Sequence, residues 1–195
     1  MYINAIYDAD LQNGEGVGIT LCVSGCPIKC QGCFNKEAQN PLFGQKYTQK
    51  EEEKILSLLD KTYIDHLAII GGEPLMLDKV QDLARLCMQV KQTWPQKKIW
   101  LWSGYLWEDI YLLAFNNSYR TLGTQKEWSW QEQKALRNIL FNVDILVDGP
   151  FVQEQKDITL KWRGSKNQRV IRCKDSIEFG LQYANLPPVP ILYCD

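Results

Sequence analysis

Three cysteines within eight residues, Cys26, Cys30 and Cys33, constrain this chain more than any other feature. They follow an alternating apolar run, Val17 to Val23, and the pair Ser24-Gly25, which places them in a loop at the end of a strand. Thiolates are soft ligands, and three so close together suit a metal or an iron–sulfur cluster better than three disulfide halves. The spacing, three residues and then two, differs from the ferredoxin run, which sets cysteines every third residue and brings a fourth. No fourth cysteine follows in the loop, and Cys22, four residues before Cys26, belongs to the apolar run. A cubane held by three thiolates keeps one iron without a protein ligand, much as a catalytic zinc keeps an open position. An open iron is where a substrate binds. The competing reading is a structural zinc knuckle, but that would want a fourth Cys or His at short spacing, and the only histidine is His66.

Composition narrows the class. A chain of 195 residues is long enough for one domain with a substantial core. Its net charge of −1 creates no field that attracts phosphate backbones, so no nucleic-acid partner is expected despite seven tryptophans. No apolar run approaches the ~20 residues that span a bilayer, and Tyr2 to Asp10 is mixed and acidic rather than a leader. The expectation is a soluble, cytoplasmic protein with no membrane partner. Seven cysteines, an odd number, fit a reducing compartment.

Along the chain, the first strand is expected at Val17–Val23, with Cys22 as a buried structural thiol. Thr48-Gln49-Lys50-Glu51 forms a capping box and opens a helix through Leu59, whose acidic first turn the helix dipole explains. A second strand from His66 to Ile70 stops at Gly71-Gly72-Glu73-Pro74, and the histidine at its start reads as structural. Val80, Leu83, Ala84, Cys87 and Val90 make the next helix amphipathic and Cys87 a core residue. Ile99 to Tyr105 is a third strand with the small residues Ser103 and Gly104 near its end, and its tryptophans read as packing. Residues 107–141 are expected to be helical with an interruption, 116–130 being a surface insertion. A fourth strand, Val143–Val147, precedes Asp148-Gly149-Pro150-Phe151, and a last one runs from Arg169 to Arg172. Cys173 and Cys194 read as incidental, and residues 174–195, with Pro187, Pro188 and Pro190, as a surface tail.

Strands alternating with helices predict an α/β fold with a mainly parallel, curved sheet. A closed eight-stranded barrel typically needs ~250 residues, so the expected architecture is an incomplete TIM-type barrel in a single domain, 1–195, with its core at about 13–172.

Five segments in order carry a resemblance. They are Val23-Ser24-Gly25-Cys26, Gly32-Cys33-Phe34-Asn35, Gly71-Gly72-Glu73-Pro74-Leu75, Val147-Asp148-Gly149-Pro150-Phe151, and Trp162-Arg163-Gly164-Ser165-x-Asn167-Gln168. With the cysteine spacing they resemble the radical S-adenosylmethionine (SAM) enzymes, and the last two resemble in particular the activating proteins of anaerobic ribonucleotide reductases. A departure is Glu15 between Gly14 and Gly16, where relatives carry proline.

The resemblance implies a 4Fe-4S cluster on Cys26, Cys30 and Cys33, with SAM on the open iron and against Gly32, Cys33, Phe34, Gly72, Glu73 and Ser103. Gly72 is expected to make room for SAM by lacking a Cβ. A reduced cluster then gives an electron to the sulfonium, and the 5′-deoxyadenosyl radical takes hydrogen from a glycine of the partner. That partner would be the large subunit of an anaerobic ribonucleoside-triphosphate reductase, with a one-electron donor such as flavodoxin. No catalytic acid or base is needed, and no Ser–His–Asp set or carboxylate pair stands out. Arg163, Asn167 and Gln168 would serve SAM or the partner. Two alternatives stay open: a small radical SAM enzyme acting on a metabolite, of the 7-deazaguanine-precursor synthase type, and a non-enzymatic cluster or electron carrier.

Overall fold

The computed structural model describes residues 1–116, 121–123, 125–183 and 188–193. Among the described residues seven strands form one open sheet: β1 (Tyr2–Asp10), β2 (Gly18–Val23), β3 (Gln45–Lys46), β4 (His66–Gly71), β5 (Lys98–Trp102), β6 (Ile145–Asp148) and β7 (Arg169–Arg172). Their spatial order is β3-β1-β2-β4-β5-β6-β7. The helices are α1 (Gln49–Leu59), α2 (Val80–Thr93), α3 (Trp107–Phe115), α4 (Trp130–Asn142) and α5 (Cys173–Gln182). Among the described residues no helix is long and apolar enough to cross a membrane.

The sheet is mixed rather than mainly parallel. β2, β4, β5 and β6 run parallel, while β1, β3 and β7 join antiparallel at the two edges. The sequence reading missed β1. Its pairing with β2 shifts register between Ile3 and Ala5 and again between Tyr7 and Asp10, which breaks the two-residue alternation that marks a strand.

Register sorts the side chains into two rows. Leu21, Ile69, Leu101, Leu146 and Ile171 are successive cross-strand partners, and all five belong to the large core beneath the helices. Thr20, Ala68, Trp100 and Ile145 form the neighbouring row on the opposite face. There Ala68, Trp100, Ile145, Val147 and Val170 make a second, smaller cluster closed by Trp102, Trp162 and Tyr193. The ring of Trp100 lies 4.9 Å from that of Trp162. One face thus carries the helices, and the other is left for a site.

Local signals explain most elements. Thr48 and Glu51 form the expected capping box at α1, the Thr48 N–H donating to the Glu51 carboxylate at 3.0 Å. Glu52, in the acidic first turn, is buried, accepts from Tyr47 Oη at 3.0 Å, and pairs with Arg85 of α2. His66 is buried, with Nε2 2.7 Å from the Asn13 carbonyl, in keeping with a structural role. A Cβ on Gly18 would come within 2.1 Å of that nitrogen. Cys22 and Cys87 are buried thiols pushed up by burial, to about 11 and about 12.

Two expectations are corrected. Residues 174–195 do not begin as a tail, because α5 packs against α4 with Cys173, Ser176, Ile177 and Gly180 inward. Those positions have helical spacing, but two are small residues, so the apolar stripe is faint in the sequence. Residues 116–130 are not only a surface insertion, since Leu122 and Trp128 are buried in the main core. Residues 117–120 and 124 of that stretch, with Pro187 and Cys194, lie outside the described residues.

Candidate functional site

The sequence segments singled out above gather at the carboxyl ends of the four parallel strands. β2 runs into the cysteine loop, β4 into Gly72-Glu73-Pro74, β5 into Ser103-Gly104, and β6 into Gly149-Pro150-Phe151. In open α/β sheets that end is where ligands bind.

The cysteine loop is closed at its base by backbone bonds. Ser24 N donates to Tyr2 O at 3.0 Å, Gly25 N to Ala38 O at 2.7 Å, and Cys26 N to Gln39 O at 3.3 Å. Within the loop, Lys29 and Gly32 take left-handed conformations, with φ of 52° and 72°, and Cys33 N donates to Cys30 O at 3.3 Å. Cys26, Cys30 and Cys33 are free, half-buried thiols, and burial pushes the Cys26 thiol up. Among the described residues no three His, Cys, Asp or Glu side chains converge as a site for a single ion. A cubane takes one thiolate at each of three separate irons, and three soft donors on one loop suit it.

Gly72 and Glu73 are tied directly to this loop. Gly72 N donates to Val23 O at 2.6 Å and Glu73 N to Gly25 O at 2.8 Å. A Cβ on Gly72 would sit 2.4 Å from Gly25 O and 2.9 Å from its carbonyl carbon. The missing Cβ thus permits a close approach of the Gly72 backbone to the cysteine loop.

The Glu73 carboxylate is only 1% exposed and is held on both oxygens. Oε1 accepts from Leu75 N and from Ser103 Oγ, each at 2.9 Å, and Oε2 accepts from Gly104 N at 2.7 Å. Burial pushes its pKa up to about 7 despite these donors. Ser103 Oγ also accepts from Tyr105 N at 3.1 Å. Glu73 and Ser103 are thus brought together, as a brace between β4 and β5 more than as groups aimed outward.

Beside the loop, on the helix-free face, opens a cavity of about 420 Å³ walled by Cys30, Cys33, Phe34, Trp102, Phe151 and Arg163. Gly32 lies on the same wall, where a Cβ would come 2.0 Å from Gln153 Oε1. Phe34 is 88% exposed. Trp102 both packs on Trp100, with ring centres 5.9 Å apart, and faces this cavity, which its reading as core alone missed. A larger hollow of about 1000 Å³ between α2 and α4 holds none of the expected site residues.

The two late segments fold into one braced unit. Asp148 is fully buried, accepts from Trp107 N at 2.7 Å, and pairs with Arg169, which also grips Glu108 with both terminal nitrogens at 2.8 Å. Asn167 Nδ2 donates to Pro150 O at 2.7 Å and Gln168 Nε2 to Gly149 O at 3.0 Å. Gln168 Oε1 accepts from Gly164 N at 2.9 Å. Asn167 and Gln168 therefore lock the turn after β6 into place. Sequence reasoning also missed Lys79, a fully buried cation under the cysteine loop, because a lone lysine between an aspartate and a helix looks like surface.

Comparison with known proteins gives the family. Residues 12–171 match the family described as the 4Fe-4S single cluster domain, which defines the class. The chain is 37% identical over 174 residues to the anaerobic ribonucleoside-triphosphate reductase-activating protein of Vibrio cholerae, covering 88% of this chain and 98% of that protein. The proteins of the same name from Enterobacteria phage T4 (34% identity, 91% of this chain, 97% of the relative) and Escherichia coli K12 (33%, 87% and 97%) are similarly close. The chain belongs to the family of anaerobic ribonucleoside-triphosphate reductase-activating proteins.

Proposed function

We propose that this protein is a radical SAM activase that generates a glycyl radical on the large subunit of an anaerobic ribonucleoside-triphosphate reductase. The observation that carries the reading is the gathering of the three-cysteine loop, the Gly72-Glu73 turn and Ser103 at one end of the parallel strands, beside an open cavity.

Cys26, Cys30 and Cys33 hold a 4Fe-4S cluster, which when bound supplies a low-potential electron to the sulfonium of SAM. Both N–H groups of Gly72 and Glu73 are committed to the cysteine loop and its strand, so what this turn offers an ammonium group is carbonyl oxygen. That suits the amino group of SAM. The buried Glu73–Ser103–Gly104 bonds fix those carbonyls in place rather than contacting the ligand. Gly32, Phe34 and the aromatic walls Trp102 and Phe151 border the space for the rest of SAM. The open sheet reads as an incomplete barrel whose uncovered side admits a segment of the reductase, and a donor such as flavodoxin supplies the electron.

Anaerobic mixing of the iron-loaded protein with SAM, a reductant and a candidate reductase tests this. An oxygen-sensitive doublet signal should develop on the reductase in step with 5′-deoxyadenosine. Cleavage of SAM with the signal absent, and a small metabolite transformed instead, would move the protein to the metabolite class.

A further inference from the structure

Lys79, the residue immediately before α2, is 0% exposed. Lysine is almost never fully buried unless its charge is matched, because removing an ammonium from water costs several kcal/mol. The groups in direct contact with this one match it poorly. Nζ donates to Gly25 O at 3.2 Å and meets Met76 Sδ, a weak acceptor, at 3.0 Å. The carboxylate paired with it belongs to Asp78, 3.7 Å away and 54% exposed, and such half-solvated pairs are weak. The ammonium instead lies against the backbone where the cysteine loop begins: a Cβ on Gly25 would come 3.2 Å from Nζ. Gly25 immediately precedes Cys26, and its carbonyl accepts from Lys79 and from Glu73 N together. Burial lowers the lysine pKa, while Asp78, Glu73 and Cys26 oppose that shift.

We propose that Lys79 is a positioning residue for the cluster, which anchors Gly25 at the head of the cysteine loop and supplies a buried positive charge behind Cys26. This rests on the cluster reading above. Three thiolates concentrate negative charge in one loop, and a fixed cation behind them favours the more negative, reduced state of whatever they hold. Cluster potential responds to net charge and hydrogen bonding near the sulfurs, so the role has a readout that mere space-filling would not move.

The test is a redox titration of anaerobically reconstituted full-length protein, followed by electron paramagnetic resonance, beside iron content. Lys79→Met keeps the length of the side chain and removes the charge. It should bind iron yet be reduced about tenfold less readily at a given potential, a negative shift of about 59 mV for one electron. Asp78→Asn removes a half-exposed anion and should fold normally. It should shift the potential the opposite way, by less than tenfold. If Lys79→Met does not fold, Asp78→Asn decides alone. Potentials at the wild-type value in every variant that folds would overturn the role of Lys79. A wild-type protein that takes up no iron would overturn the cluster reading and this inference together.

Discussion

Replacing any one of Cys26, Cys30 and Cys33 by alanine is expected to abolish binding of the cluster, whereas Cys87→Ala should retain it. The three loop thiols are half-buried beside an open cavity, and their backbone is closed at the base by bonds to Tyr2, Ala38 and Gln39. Removing one leaves the loop's scaffold intact and takes away one of the three proposed ligands. Iron content after anaerobic reconstitution should fall from about four per chain to near zero. Cys87 lies wholly inside the core beneath the helices. Its loss opens a small cavity costing about 1 kcal/mol and should leave iron unchanged. An alanine variant of Cys30 or Cys33 that still binds four irons would show that another donor replaces the thiolate.

The second large effect is expected from adding a single methyl group at Gly72. In Gly72→Ala the new carbon would lie 2.4 Å from Gly25 O and 2.9 Å from Gly25 C. These are backbone atoms fixed by three hydrogen bonds, from Gly25 N, Lys79 Nζ and Glu73 N, so no flexible side chain can yield. Overpacking of this kind costs typically 1–3 kcal/mol, and about 3 kcal/mol is expected here because the strain falls on main chain. The loop must move away from the turn. Chemical denaturation should therefore show a lowered midpoint, and iron uptake should drop with it. A Gly72→Ala protein of wild-type stability that binds iron but fails to cleave SAM would instead give Gly72 the role of clearing space for the ligand.

The contrast between these two cases indicates what was legible in the chain. Cys26, Cys30 and Cys33 stand out in the sequence because the chemistry proposed for them depends on residue type and spacing. The helices α1 and α2 and the four parallel strands were equally visible, since capping boxes and apolar periodicity are local. What depended on tertiary contact was not visible. The faint alternation of β1 reflects two register shifts, and the stripe of α5 is thinned by Ser176 and Gly180. The close approach of Gly72 to Gly25 joins residues distant in sequence. Glu73 could be placed at the site, but its inward bonds to Leu75, Ser103 and Gly104 could not be foreseen. Asn167 and Gln168 carry the family resemblance, yet in the fold they clamp Pro150 and Gly149. Lys79 left no signal at all, because burial of a lysine has no local signature.

The central claim is that hydrogen is taken from a protein glycine by way of SAM bound beside the cysteine loop. The most direct measurement uses a reductase subunit carrying α-deuterated glycine, incubated anaerobically with the iron-loaded protein, SAM and a reductant. Deuterium should appear in 5′-deoxyadenosine. Unlabelled 5′-deoxyadenosine formed while the reductase acquires its radical, or label arriving only from a small metabolite, would contradict the account.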